Sequence, residues 1–273
     1  MIDDRALQVH REGLPSLEVL ACVPAQPRGA PLLFVHGAFA AAWCWAEHFL
    51  PYFAAHGHPA YAVSLRGHGG SGGGAALAFS GLDDYADDLC AAAARLPAAP
   101  VLVGHSMGGT VVQRCLSRIA ARGAVLMAAV PPYGLGPSVW RLAIGDPALL
   151  LGLNAVQYLN PRAGSLATAR RALFSAGVPE EVVRRHAARV QTESQRALAE
   201  LTWLPSWTPP PPVPALVLGA EHDTLISRAD VEATARHHGT RAVHFPGMAH
   251  AMMLEPGWRA VAERIRQWMQ GLA

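Results

Sequence analysis

Short apolar runs alternate with helical segments over most of the chain. The run PLLFV at 31–35 is almost wholly apolar, which is typical of a strand buried on both faces of a parallel sheet. Further strands are predicted within 7–23, around a turn at EGLP, and at 59–65, 100–104, 123–130, 215–219 and 241–245. Helices are predicted at 43–57, from Asp83 to Leu96, at 107–121, at 227–238 and from 256. This alternation predicts an α/β fold with a doubly wound, mostly parallel sheet.

The alternation breaks between 132 and 207. This block has helical stretches but no convincing strand, and Gly and Pro residues punctuate it. At its end, the segment PSWTPPPPVP (205–214) predicts a stiff polyproline linker. We therefore expect a core domain of residues 1–131 and 208–273, with residues 132–207 inserted into it as a helical cap.

The composition is that of a well-buried globular protein. Apolar residues make up 51% of the 273 residues and charged residues 15%, against about 25% charged in typical domains. The net charge is +2, and no basic cluster is interleaved with aromatic residues, so a nucleic-acid partner is not expected. All 22 basic residues are arginine, which excludes lysine Schiff-base chemistry.

The cysteines and the N-terminal segment indicate the cellular compartment that we expect for this protein. Cys22, Cys44, Cys90 and Cys115 lack the spacing of metal ligands, so we expect buried thiols in a reducing compartment. The opening MIDDRALQVH has no apolar signal-peptide core. The apolar stretch 148–159 is shorter than the roughly 20 residues of a spanning helix. The expectation is a cytoplasmic protein with no stable membrane insertion.

The stretch VLVGHSMGGTVV at 101–112 carries the first candidate for chemistry. Ser106 lies between Gly104 and Gly108, where a predicted strand passes into a predicted helix. Such a tight reversal strains the backbone at the serine and requires small residues two positions away on either side. These are the features of the G-x-S-x-G nucleophile elbow, with a serine that only caps the helix as the alternative.

A serine nucleophile needs a general base and an acid that orients the base. Asp223 follows the strand at 215–219, and His250 follows the strand at 241–245. Both come after Ser106 in the chain, and both follow strand ends, so Asp223 is the predicted acid and His250 the predicted base.

Other residues compete for these two roles. Asp223 could instead cap the next helix, and Glu221 is a nearby acid. For His250 the competitors are His244, which lies within a predicted strand, and the pair His237–His238 at a helix end.

The segment HGAF after the first buried strand is the candidate oxyanion loop. Its glycine lets the backbone turn its amides toward the serine, so the N–H groups of Ala38 and Met107 are the predicted donors. Phe39 is a competing donor, one position further on, and His36 is expected to brace the loop.

Three aromatic residues near this loop are candidates for the substrate pocket. Phe39, Trp43 and Trp45 are predicted to wall it, with packing in the helix core as an equal alternative. Most apolar residues of the cap are expected to pack beneath it, although they suffice to line an acyl pocket.

Together these segments resemble the α/β-hydrolase superfamily, in its serine esterase and lysophospholipase-like branch. The resemblance covers essentially the whole chain, through HGAF, SLRGHGGS, GHSMGG, GAEHDTLIS and GMAHAMMLEP. It implies an eight-stranded, mostly parallel sheet with a helical cap over the C-terminal strand ends. It also implies a catalytic triad and an oxyanion hole, formed by Ser106, Asp223 and His250 and by the amides of Ala38 and Met107.

These observations predict a serine hydrolase of carboxylic esters with small or medium acyl groups. It would act on small-molecule esters through an acyl-enzyme intermediate, without metal or cofactor. A homodimer is a possible oligomeric state. Because position 106 is Ser, branches with an Asp nucleophile are excluded. C–C bond hydrolysis, perhydrolysis, cofactor-independent oxygenation and hydroxynitrile-lyase chemistry are alternatives on the same scaffold, and so is a non-catalytic receptor. The hydroxynitrile lyases of this superfamily typically use a lysine in the pocket, and this chain has no lysine, which disfavours that alternative.

Overall fold

Eight strands form a single sheet in this computed structural model, which describes residues 3–9, 16–159, 166–204 and 213–272. The strands are β1 Asp3–Val9, β2 Leu17–Val23, β3 Leu32–Val35, β4 Ala60–Val63, β5 Val101–His105, β6 Gly123–Met127, β7 Ala215–Ala220 and β8 Ala242–Phe245. Their order across the sheet is β1-β2-β4-β3-β5-β6-β7-β8. The pairs β1–β2 and β2–β4 are antiparallel, and all the others are parallel. The predicted eight-stranded, mostly parallel sheet is confirmed.

The helices cover both faces of this sheet. They are α1 Trp43–Ala46, α2 Phe49–Ala55, α3 Leu82–Ala93, α4 Met107–Leu116, α5 Gly136–Gly145, α6 Pro147–Tyr158, α7 Leu166–Leu173, α8 Glu180–Ala187, α9 Gln195–Trp203, α10 Arg228–His237 and α11 Trp258–Met269, with a 3-10 helix at Gly74–Phe79. Helices α1, α2 and α11 pack on one face, and α3, α4 and α10 on the other. Within the described ranges, no helix is both long and apolar enough to cross a membrane.

Every residue of the central strands β3, β5 and β6 is buried. Successive side chains of a strand point to opposite faces of the sheet. Phe34 accordingly joins the core on the α1–α2 side, while Leu33 and Val35 join the core on the α3–α4 side. Burial on both faces explains why these strands appear in the sequence as continuous apolar runs.

Several predicted elements have other bounds in the structure; the helix predicted over 107–121, for example, ends at Leu116. The helix predicted over 43–57 is interrupted after Ala46 and resumes at Phe49. A proline within a helix clashes with the carbonyl four residues earlier, so the restart places Pro51 in the first turn of α2. Strand β6 is shorter than predicted and ends at Met127, because the backbone turns at Ala128, which has a φ of 43°.

Helices α5–α9 lie between β6 and β7, where the sequence predicts the cap. The EGLP turn and most of the proline-rich linker lie outside the described residues. The boundaries of the cap and of the two core segments therefore stay predictions.

The buried aromatic cluster under β3 provides a stability test. Trp45 is completely buried, and its ring lies 4.9 Å from that of Phe34 and 5.3 Å from that of Phe49. Trp45→Ala should lower the free energy of unfolding by about 3–5 kcal/mol, because it leaves a large cavity. Urea denaturation measures the change. Trp140→Ala is the matched control, since Trp140 is 67% exposed, and its effect should stay within about 0.5 kcal/mol. Equal losses in the two variants would contradict this account of the core.

Candidate active site

Ser106 occupies a sharp reversal between β5 and α4. Its backbone adopts φ 53° and ψ −120°, with a positive φ that residues other than glycine rarely adopt. A Cβ atom at Gly104 would lie 2.3 Å from the carbonyl oxygen of Gly108, and one at Gly108 would lie 2.5 Å from that of His36. Only glycine fits at these two positions, because Gly104 packs directly against the backbone at the start of α4 and Gly108 against the end of β3.

Asp223 and His250 form a buried hydrogen-bonded pair. The loops after β7 and β8 bring them together, and Nδ1 of His250 lies 2.7 Å from Oδ2 of Asp223. The other carboxylate oxygen accepts from the backbone N–H groups of Leu225 and Ile226, each at 2.9 Å. The Asp223 side chain is completely buried. With Nδ1–H donating to the carboxylate, Nε2 of the neutral imidazole is left as an acceptor.

The competing residues make other contacts. Glu221 is half exposed and accepts from the Gly247 N–H at 2.9 Å. His244 pairs with Glu232, and Nε2 of His238 meets the side-chain oxygen of Gln113. These contacts favour Asp223 and His250 as the candidate acid and base.

The loop after β3 presents backbone amides beside the serine. Phe39 has a φ of 66°, so the chain turns sharply at this point. Met107 is the first residue of α4, and the first N–H groups of a helix have no partner within it. The Met107 side chain packs in the core on the α3–α4 side of the sheet.

His36 braces this loop from behind. Its Nε2 accepts from the Leu65 N–H at 3.1 Å, and its Nδ1 therefore carries the proton and donates to the Gly37 carbonyl at 2.8 Å. Burial, reinforced by the nearby His68, lowers the pKa of His36 to about 3. The imidazole stays neutral, as this pair of contacts requires.

A largely apolar cavity of about 170 Å³ opens onto these groups. One water occupies roughly 30 Å³ in the liquid, so a small organic molecule fits. Ser106, His250 and the Ala38–Phe39 turn line one side of the cavity. Helices α6, α7 and α8 and the residues just after them supply most of the facing wall, through Leu153, Val156, Thr168, Ala169, Ala172, Leu173, Phe174, His186, Ala187 and Val190.

Of the three predicted pocket aromatics, two line the cavity. Phe39 and Trp43 form part of its wall, but Trp45 does not. The prediction for Trp45 is corrected: its side chain points into the core and packs against Phe34 and Phe49. The two tryptophans are two residues apart on α1 and so do not share a helix face.

Known proteins share both the sequence pattern and the fold. A family model described as the alpha/beta hydrolase family matches residues 32–264, well over half of the chain. This chain belongs to the alpha/beta hydrolase family. A monoacylglycerol lipase from Mycolicibacterium smegmatis is 27% identical over 268 residues, covering 89% of this chain and 88% of the lipase.

Two solved esterases share the fold of this alpha/beta hydrolase. The esterase from Thermogutta terrifontis superposes with a TM-score of 0.78 at 19% identity, covering 98% of this chain and 99% of that one. An esterase from Exiguobacterium antarcticum gives a TM-score of 0.81 at 16% identity and covers 98% of this chain and 100% of its own. Because the two esterases are only 19% and 16% identical to this chain, the similarity shows a shared fold and nothing more.

Two cavity histidines of this alpha/beta hydrolase were not predicted. His105 donates from Nε2 to the His250 carbonyl at 2.9 Å, and burial together with His250 holds its pKa well below the ordinary value. His105 directly precedes Ser106 in the G-x-S-x-G motif, so its position beside the nucleophile could have been noticed in the sequence. His186 stacks between Trp43 and Phe174, and burial lowers its pKa. No sequence motif distinguishes His186, because it reaches the cavity only through the packing of α8.

The arrangement supports proton transfer beside a nucleophile. Ser106 and His250 line the same cavity, Nε2 of His250 is available as an acceptor, and backbone N–H groups of the adjoining loop can stabilise an oxyanion. Among the described side chains, no group of three His, Cys, Asp or Glu is placed to hold a metal ion.

The Asp223–His250 contact gives a direct test. In Asp223→Asn, the amide no longer stabilises a charged His250 or selects its tautomer. The rate at which a fluorophosphonate labels Ser106 should therefore fall by about 10³–10⁴-fold. Mass spectrometry of the labelled peptide measures it. Glu221→Gln is the matched control: it changes an acid two residues away, keeps an oxygen acceptor for the Gly247 N–H, and should label as fast as the wild type. A comparable loss in the control would contradict the assignment of the acid.

Proposed function

We propose that this alpha/beta hydrolase cleaves carboxylic esters through an acyl-enzyme on Ser106. The observation that carries the proposal is the buried Asp223–His250 pair, which opens onto the same cavity as the serine at the strained turn. A capping serine needs neither a buried acid–base pair nor a cavity. The names of the curated relative, a lipase, and of the two solved esterases agree with ester substrates.

In the proposed mechanism, His250 acts first as base and then as acid. Its Nε2 takes the proton from the Ser106 hydroxyl as Oγ attacks the ester carbonyl. The amides of Ala38 and Met107 hold the oxyanion of the tetrahedral intermediate. His250 then gives the proton to the departing alcohol, which leaves an ester between Ser106 and the acyl group. Water, activated by His250 in the same way, releases the carboxylic acid.

Asp223 has two functions in this scheme. Its Oδ2 keeps the proton of His250 on Nδ1, and its charge stabilises the imidazolium that forms in each half-reaction. Hydrogen bonds from the Leu225 and Ile226 N–H groups hold the carboxylate in place. The acid therefore does not need to move during the reaction.

We further propose that residues 132–207 form the cap that selects the acyl group. The cavity wall from this block is almost wholly apolar, with Leu153, Val156 and Leu173 among its larger side chains. An acyl chain lying along this wall would be taken out of water, at about 25 cal/mol for each Å² of apolar surface. The enclosed space suits small or medium acyl groups of apolar substrates.

Substitution of the nucleophile tests the mechanism. Ser106→Ala should lower kcat for p-nitrophenyl esters by about 10⁶-fold, because the acyl-enzyme cannot form. Ser117→Ala is a control at an exposed serine at the end of α4, whose hydroxyl bonds only locally, and it should retain full activity. Circular dichroism shows whether both variants are folded. Ester turnover that survives in Ser106→Ala would refute the assignment.

The substrate range is tested with a panel of esters. Turnover of p-nitrophenyl esters from acetate to palmitate, and of a monoacylglycerol, should be greatest for the short and medium acyl chains. Parallel assays with a 1,3-diketone and with hydrogen peroxide examine the related chemistries of the scaffold. Activity confined to one of those substrates would overturn the proposed ester hydrolysis.

A further inference from the structure

The segment between α8 and α9 lies directly against the candidate oxyanion loop. The backbone N–H of Gln191 donates to the carbonyl oxygen of Phe39 at 3.1 Å. Phe39 has a positive φ, a conformation that costs roughly 1–3 kcal/mol in residues other than glycine and persists only where the surroundings hold it. The contact from Gln191 is one such constraint, and it comes from the predicted cap.

The Gln191 side chain joins the same segment to the loop after β4. Its Oε1 accepts from the Gly69 N–H at 3.0 Å, and its Nε2 donates to the Gly67 carbonyl at 3.0 Å. One residue thus connects two loops at the C-terminal edge of the sheet. Because both ends of the amide are bonded, the side chain keeps the Gln191 backbone in register with Phe39.

Glu193 anchors the segment through a buried ion pair. Its Oε2 lies 3.1 Å from Nε2 of His68, and Oε1 accepts from the Tyr85 hydroxyl at 2.5 Å and from the Ser194 N–H at 2.7 Å. Nδ1 of His68 faces the carbonyl of Arg66 at 3.0 Å. Since both ring nitrogens of His68 face oxygen acceptors, the ring is an imidazolium and the contact is charged.

The electrostatics agree with this geometry. Burial by itself would lower the pKa of His68, but the Glu193 carboxylate raises it above the ordinary value. Burial likewise would raise the pKa of Glu193, and His68 together with the donated hydrogen bonds lowers it. Removing one partner leaves the other charge buried and unpaired, which is far more costly than the loss of a surface ion pair.

The ion pair also reaches the oxyanion loop by a second route. The His68 ring lies 5.0 Å from the ring of His36, which holds the Gly37 carbonyl and the Leu65 N–H. The segment therefore supports the loop at Phe39 through Gln191 and behind Gly37 through His68.

We propose that Gln191 and Glu193 are positioning residues of the oxyanion hole, which hold the Phe39 peptide and thereby aim the Ala38 N–H at the reacting carbonyl. The hole is then shared between the core and the cap. The inference deepens the proposed function and rests on it for the identity of the reaction. An oxyanion exists only after the serine attacks, so a misplaced donor lowers kcat and leaves substrate binding nearly unchanged.

Alanine variants of both residues, with a matched control, test the proposal. Gln191→Ala and Glu193→Ala should each lower kcat for the best ester about 10-fold, within the loss that a misplacement of about 1 Å can cause. The fluorophosphonate labelling rate of Ser106 should fall by a similar factor, and KM should stay within about twofold. Glu200→Ala is the matched control. Glu200 also lies on the predicted cap and accepts from a backbone N–H of the core, that of Leu82 at 2.9 Å. This contact joins the cap to α3 and not to the candidate oxyanion loop. The control variant should lower only the melting temperature.

The conservative variant Glu193→Gln separates positioning from general stability. It keeps an acceptor for Tyr85 and Ser194, and its amide can donate to a neutral His68, so it should recover most of the kcat lost in Glu193→Ala. A glutamine variant as slow as the alanine variant would overturn this account. If Glu193→Ala does not fold, Gln191→Ala decides, because its side chain is only half-buried.

Two further outcomes distinguish this inference from the proposed function. Wild-type kcat and labelling rate in Gln191→Ala, or a raised KM with unchanged kcat, would overturn the positioning role. A wild-type protein that is labelled at Ser106 but hydrolyses no ester would refute the proposed function. In that case the ratio of labelling rates between the wild type and Gln191→Ala would still decide the positioning role.

Discussion

The contact between the Ser106 turn and the carboxyl end of β3 is the constraint on which the rest of the site depends. A Cβ atom at Gly108 would collide with the His36 carbonyl, so the two backbones meet with no side chain between them. This approach sets the N–H groups at the start of α4 beside the loop after β3. It also requires the serine to adopt a positive φ, which directs its side chain toward the cavity. The parallel sheet makes the contact available, because β3 and β5 are adjacent and end at the same edge.

The same edge collects the remaining groups from distant parts of the chain. The loops after β7 and β8 bring Asp223 and His250 together in a buried pair. The loop after β4 brings His68 to Glu193, which lies in the helical block between β6 and β7. In both cases a carboxylate is removed from water and satisfied by an imidazole and by donated hydrogen bonds. Such pairing is what makes a buried charge tolerable in an apolar setting. The helices α6–α8 then close the space above with apolar side chains.

The predicted elements were most accurate where the local pattern and the tertiary structure agree. The buried strands and the turn at Ser106 could be predicted from the sequence, because each has a short-range signature. Asp223 and His250 could be named as candidates because each follows a predicted strand and both come after Ser106 in the chain. The aromatic residues on α1 had no such signature: Trp43 and Trp45 are equally apolar, and only the rotation of the helix sends one to the cavity and the other to the core. The break before Pro51 and the early end of β6 depend on backbone clashes and turns that an apolar pattern does not reveal.

By itself the sequence determined the class of fold, the position of the sharp turn and the residue types available for nucleophilic chemistry. These follow from local rules: apolar runs form buried strands, and a serine flanked by glycines fits a tight reversal. Only the tertiary structure decided which acid meets His250, which aromatic residues face the cavity, and that Gln191 and Glu193 reach the loop after β3. Those contacts join residues more than 25 positions apart, for example Asp223 with His250 and Glu193 with His68. The physical reason is that such pairs form through the folding of the sheet and the packing of helices over its edge, and no local pattern in the chain encodes them.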